Sequence, residues 1–216
     1  MMTALIAGAS GLIGRDLLKL FIQDDKITQI YSLARSKQDK MPSKVIQILT
    51  DFESVLDIEL PACDVGLCTL GTTIKKAGSR ENFYTVDHDY VLNFARLCKK
   101  RGVKTFIVVS AMGADVKSKV FYNQVKGRTE EDLKSLDFES LVILRPSLLL
   151  GERSEFRLGE WIAQKTIGSL GFLFVGSLAK VKPISGRKVA MRMISECTAI
   201  STKKAAKCKV LLNHEI

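Results

Sequence analysis

The sequence predicts an α/β fold, a doubly wound parallel sheet followed by a small C-terminal appendage. Three observations predict it. Short β-branched runs, nearly all apolar, recur along the first 150 residues, and strands that are apolar throughout are covered on both faces, as in parallel sheets. Longer helical patterns alternate with them, which implies right-handed βαβ crossovers. The first run also ends in a glycine-spaced turn that leads straight into the first helical pattern.

In chain order, the strands are expected at Thr3–Ala7, Ile27–Ala34, Val45–Leu49, Val65–Leu70, Thr105–Ser110 and Leu141–Leu144. The helices are expected at Leu12–Gln23, Arg80–Arg101 and Phe121–Ser135. The second of these ends on Lys99-Lys100-Arg101-Gly102, where basic side chains complement the helix dipole and the glycine stops the helix. From Gly151 the pattern loosens. A helix at Glu155–Ile167 carries Trp161, and Gly168, Gly171 and Gly176 break the apolar stretch after it. A helix at Arg187–Glu196 and a strand at Val210–Leu212 follow. Residues 151–184 are too few for a separate domain and are expected to cover the cleft from its substrate side, so residues 1–216 form one domain.

Composition narrows the class. The chain has 216 residues, 46% hydrophobic and 26% charged, with a net charge of +10, which excludes wholesale disorder. Most of that charge, +7, falls in residues 151–216. Lys203, Lys204, Lys207 and Lys209 lack interleaved aromatics and any nucleic-acid motif, so no specific nucleic-acid partner is expected. The five cysteines include no C-x-x-C, and His88 and His214 lack zinc-ligand spacing, so no metal is expected. The N-terminus has no basic region before its apolar residues, and no apolar run reaches the ~20 residues of a membrane span. An odd, scattered set of thiols then points to a cytoplasmic location without membrane insertion.

The turn after the first strand reads Gly8-Ala9-Ser10-Gly11-Leu12-Ile13-Gly14. In a G-x-x-G-x-x-G spacing at a strand-to-helix junction, the first glycine permits the tight turn and the second lets a pyrophosphate approach the backbone. The third lets the helix pack closely, and the helix N-terminus offers N–H groups to phosphate. An NAD site places a carboxylate about 20 residues further on. Here that place holds Arg35 and Ser36, a guanidinium and a hydroxyl suited to a 2′-phosphate, so NADP(H) is expected over NAD(H).

Tyr122-Asn123-Gln124-Val125-Lys126 is a Y-x-x-x-K that opens the helix after the fifth strand, and i,i+4 spacing puts both side chains on one helix face. A nearby cation favours the phenolate that a tyrosine needs for acid–base work near neutral pH. Ser110 closes the fifth strand at the sheet's carboxyl edge, where open α/β sheets bind ligands.

These residues resemble the short-chain dehydrogenase/reductase superfamily, a Rossmann fold that uses a Ser–Tyr–Lys site with NAD(P). Further stretches are similar to its atypical subgroup of Tat-interacting-protein-like oxidoreductases. They are the run from Asp64 to Thr73, Lys76-Ala77-Gly78, Val86-Asp87-His88-Asp89-Tyr90-Val91, Val109 to Ala114, Phe121 to Gly127 and Leu144 to Gly151. The resemblance implies that Tyr122 is the acid/base, Lys126 its ribose-binding partner and Ser110 the hydroxyl that orients a substrate carbonyl. It also implies that Leu70-Gly71-Thr72 line the cofactor and that Asp51-Phe52 lie beside the adenine. Two departures stand out. Extended members carry a second, active serine where this chain has Ala111, and Asp87 stands where many relatives carry an Asn, whose amide donor a carboxylate lacks.

Two functions follow as expectations. The first is an NADP(H)-dependent oxidoreductase acting on a small carbonyl or alcohol, in an apolar pocket lined from the Gly113–Phe121 loop and the segment holding Phe156, Trp161 and Phe172. The other is an NADP(H)-binding regulatory or redox-sensing protein with little turnover. His88, between Asp87 and Asp89, reads as structural because neighbouring helix residues point apart. Cys68 reads as a small core residue.

Overall fold

The apolar runs become strands β1 (Met2–Ala7), β2 (Ile27–Ala34), β3 (Val45–Leu49), β4 (Val65–Cys68), β5 (Thr105–Val109) and β6 (Ser140–Arg145). A short pair, β7 (Leu149–Leu150) and β8 (Ile184–Ser185), and a last strand, β9 (Cys208–Leu212), complete the set. The helices are α1 (Leu12–Gln23), α2 (Ile74–Ala77), α3 (Arg80–Tyr84), α4 (Tyr90–Lys100), α5 (Phe121–Ser135) and α6 (Gly186–Ile200). This computed structural model describes residues 1–38, 40–150, 182–200 and 207–216. The expected helix Glu155–Ile167 lies outside the described residues, as do Phe156, Trp161 and Phe172.

Among the described residues, seven strands form one sheet in the order β3-β2-β1-β4-β5-β6-β9. Every pairing in it is parallel. Period-two alternation sends successive side chains to opposite faces. Ala4 and Ile6 of β1 pack with Leu17 and Phe21 of α1 and Met193 of α6, whereas Leu5 and Ala7 pack with Phe94 and Leu97 of α4. The sheet is therefore wound on both faces, as the sequence predicts.

Element ends differ by one to a few residues. Val65–Leu70 stops at Cys68, although the Thr69 amide still donates to the Ala7 carbonyl at 2.9 Å. The expected helix Arg80–Arg101 is not one regular helix. Its third to seventh residues after Asn82, Thr85–Asp89, form a π-helical turn between α3 and α4. Such a turn changes which side chains face inward, and here it buries both Asp87 and His88. The late strand starts at Cys208, and Lys209 fastens it to α6 through the buried Glu196 at 2.9 Å. Part of the basic C-terminal charge is thus paired within the chain: Arg192 also pairs with the buried Glu196, and Lys207 pairs with Asp137 at the surface. No described helix is long and apolar enough to cross a membrane.

Candidate functional site

The winding reverses at β1 and β4, with β2 and β3 laid down on one side and β5, β6 and β9 on the other. Loops leaving the carboxyl ends of such neighbours diverge, and the crevice between them is where open α/β sheets hold ligands. The glycine turn sits at that point. Gly8 has φ 87°, and a Cβ there would stand 2.6 Å from the Thr69 carbonyl carbon after β4. A Cβ on Gly14 would stand 2.1 Å from the Gly8 oxygen, so only glycine lets α1 start this close to β1. The Gly11 amide closes the turn by donating to the Gly8 carbonyl at 2.9 Å. Gly11 caps α1 with no side-chain hydrogen bond, and the first turn holds no acidic residue. The dipole at that end is therefore available to an anion. Ser10 and Leu12 lie at the rim of this turn, while Ile13 is buried in the core under it.

Arg35 and Ser36 are exposed just beyond β2, on the β2 side of the crevice. After β3, Asp51 Oδ1 accepts from the Ser54 amide (3.0 Å), the Ser54 hydroxyl (3.0 Å) and the Glu53 amide (2.9 Å). Those donors, Ser54 first, hold its carboxyl below the ordinary carboxylate value. Phe52 is buried in a left-handed conformation (φ 70°), with its ring 5.9 Å from that of Tyr90. Its carbonyl accepts from Asn93 Nδ2 at 3.1 Å. Asp51 and Phe52 thus form a braced turn at the carboxyl end of the strand next to β2.

On the other side, α5 carries Tyr122, Lys126 and Glu130 at i, i+4 and i+8, one stripe along the helix. The Tyr122 ring packs 5.5 Å from Phe83. Lys126 Nζ lies 2.7 Å from Asp87 Oδ1, and both side chains are buried. Asp87 Oδ2 accepts the Thr72 amide at 2.7 Å, and the Thr129 hydroxyl donates to the Asp87 carbonyl at 3.0 Å. The Leu70-Gly71-Thr72 turn, Asp87 and Lys126 therefore meet as one unit. Ser110 is near but differently engaged. Its hydroxyl donates to the buried Glu130 at 2.5 Å, and Glu130 also accepts three Arg145 contacts, two from Nε at 2.9 and 3.2 Å and one from Nη2 at 2.5 Å. A hydroxyl has one hydrogen, so Ser110 must change partner before it can donate to a substrate oxygen.

Glu130 and Arg145 do not stand out in the sequence, although the 122–126–130 spacing is the signal that places Glu130 on the site's helix face. Asp87 stands out only as a departure, and its direct contact with Lys126 is visible only in three dimensions. His88 is buried, and neighbours do not all point apart here. Its Nδ1 lies 2.7 Å from Asp89 Oδ1 and its Nε2 2.9 Å from Asp132 Oδ2, under a stacked Tyr84 ring 4.4 Å away. Cys68 is a core residue, its thiol pushed up to about 12 by burial.

Comparison with known proteins adds family and fold. Residues 23–173 match the HIM1 family. The chain is 43% identical over 171 residues to Protein HTATIP2 of Rattus norvegicus, covering 76% of this chain and 70% of that protein. It is 40% identical over 159 residues to Protein FMP52, mitochondrial, of Eremothecium gossypii, covering 73% and 71%. Among solved structures, a short chain dehydrogenase family protein from Francisella tularensis superposes with a TM-score of 0.67 at 13% identity, covering 100% of this chain and 98% of that one. The oxidoreductase ylbE from Lactococcus lactis superposes with a TM-score of 0.68 at 18% identity, covering 97% and 89%. At such identities the likeness shows the fold. One expectation is corrected: the cytoplasmic location is overturned by the fungal relatives, which are named as mitochondrial proteins. Scattered free thiols separate reducing from oxidising surroundings and nothing finer.

Proposed function

The chain belongs to the HIM1 family, as an atypical short-chain dehydrogenase/reductase of the HTATIP2 type, and on that premise we propose that it is an NADP(H)-dependent oxidoreductase. The observation that carries this reading is the Gly8–Gly14 turn. Its glycines leave no room for side chains where backbone must meet backbone, and it aims the uncapped start of α1 at the crevice between β1 and β4. That cradle fits a pyrophosphate. In this reading Arg35 and Ser36 take the 2′-phosphate, and Asp51 and Phe52 the adenine end. Leu70, Gly71, Thr72 and Lys126 take the nicotinamide ribose in the same reading.

Held there, a nicotinamide would supply or accept the hydride exchanged with the carbon of a small carbonyl or alcohol. Tyr122 gives a proton to, or takes one from, the oxygen on that carbon. Lys126, one turn further along α5, is held by Asp87 at 2.7 Å. Two measurements test the proposal. Binding of NADPH should be tighter than that of NADH and should weaken in Arg35→Ala. Tyr122→Phe should abolish NADPH-dependent reduction of any aldehyde or ketone that the wild type accepts. Tighter binding of NADH, or reduction intact in Tyr122→Phe, would defeat it.

A second reading, an NADP(H)-binding regulator with little turnover, is favoured by one contact, the Ser110 hydrogen donated to Glu130. It predicts tight NADPH binding with no turnover across a broad carbonyl panel.

A further inference from the structure

Asp87 and Lys126 lie at the inner end of the crevice as a buried pair, Oδ1 to Nζ 2.7 Å, with side chains 1% and 6% exposed. The second Asp87 oxygen accepts the Thr72 amide at 2.7 Å. A Cβ built on Gly71 would stand 3.2 Å from Asp87 Oδ1 and 3.7 Å from Lys126 Nζ. The carboxylate therefore stands directly behind the turn proposed to line the dinucleotide and touches the lysine proposed to hold its ribose.

The charges at this point act on the two forms of a nicotinamide differently. The oxidised ring carries a positive charge and the reduced ring carries none. A lone buried ammonium repels the first and is indifferent to the second, at an effective dielectric well below that of water. Asp87 cancels that repulsion. The next charged group along the helix face, Glu130, is itself balanced by Arg145 and adds no net charge.

We propose that Asp87 sets the redox preference of the site, its carboxylate offsetting Lys126 so that the oxidised dinucleotide is not disfavoured. This inference rests on the dinucleotide reading above and adds to it a preference between the two redox forms. A chain so built holds NADP⁺ in competition with NADPH, and the form it holds follows the ratio of the two around it.

The test is calorimetric binding of NADP⁺, NADPH, NAD⁺ and NADH to the full chain and to two variants. Asp87→Asn keeps the side-chain volume and an acceptor for the Thr72 amide but removes the charge. It should raise the ratio of the NADP⁺ to the NADPH dissociation constant at least ~threefold, the size of one partly screened unit charge. Lys126→Met should move the same ratio the other way. A packing defect weakens both forms alike and leaves the ratio alone, and if Asp87→Asn fails to fold, Lys126→Met decides by itself. A ratio unchanged, or moved in the opposite sense, overturns the inference and leaves dinucleotide binding standing. Failure of the wild type to bind any of the four dinucleotides overturns that reading and the inference together.

Discussion

Ser110 donates its single hydroxyl hydrogen to Glu130 across 2.5 Å, inside a network that the Arg145 guanidinium closes. The carboxylate is only 2% exposed and its partner guanidinium is partly exposed, so Glu130 ties β5, α5 and β6 together through one buried charge. Its hydrogen bond to Arg145 raises the Arg145 value, and Arg145 stays cationic throughout.

Removing the acceptor should therefore cost more than removing the donor. Glu130→Ala leaves a cation and a hydroxyl without their partner and should cost about 3 kcal/mol. For a chain of this size that lowers the thermal midpoint by about 6–12 °C. Ser110→Ala leaves the ion pair intact and should cost about 1.5 kcal/mol. Thermal unfolding followed by circular dichroism orders the two. A Ser110→Ala loss equal to or larger than that of Glu130→Ala would show that the network is not centred on the carboxylate.

Two glycines separate steric from conformational requirements. A Cβ on Gly14 would meet the Gly8 carbonyl oxygen at 2.1 Å, so Gly14→Ala must push α1 off β1. That should cost about 2–4 kcal/mol, because Leu17 and Phe21 of α1 are anchored in the core. Gly78, at the end of α2, has φ 82° with nothing within 4 Å of a built Cβ, so Gly78→Ala should cost only the left-handed strain of about 1–2 kcal/mol. Urea midpoints compare the two. NADPH binding should disappear in Gly14→Ala and persist in Gly78→Ala.

What was legible in the sequence was the part governed by local pattern. Leu12–Gln23 and Phe121–Ser135 are helices with the expected ends, and the expected strands of the first 150 residues all appear. Periodicity and the glycine spacing are properties of neighbouring residues, so they survive folding unchanged. The 85–89 turn was not legible, because Asp87-His88-Asp89 is polar enough to read as a solvated helix face. Its burial depends on partners 15 to 44 residues away: Thr72, Lys126 and Asp132. The site divides along the same line. Tyr122 and Lys126 could be paired by spacing, whereas the engagement of Ser110 by Glu130, itself paired with Arg145, needs three elements brought together in space.

The cysteines yield a prediction about pH. Burial pushes the thiols of Cys68 and Cys197 up to about 12 and that of Cys63 up to about 11, and it drives Cys98 well above its ordinary value. Cys208, on β9, is exposed. A thiol is neutral while protonated, so a raised value means that the folded chain keeps protons which the unfolded chain releases above the ordinary 9.0. Stability from this source is complete below pH 9 and falls as pH rises toward the folded values, by up to about 1.4 kcal/mol per pH unit for each thiol. Lysines and tyrosines titrate in the same range, so a difference between two chains isolates the effect. Urea midpoints of the reduced wild type and of Cys197→Ala, compared from pH 8 to 10.5, should fall more steeply in the wild type, by about one proton's worth of slope. Parallel slopes would sink the assignment. At pH 8 the native chain should present Cys208 alone to a disulfide reagent, and all five thiols only after unfolding.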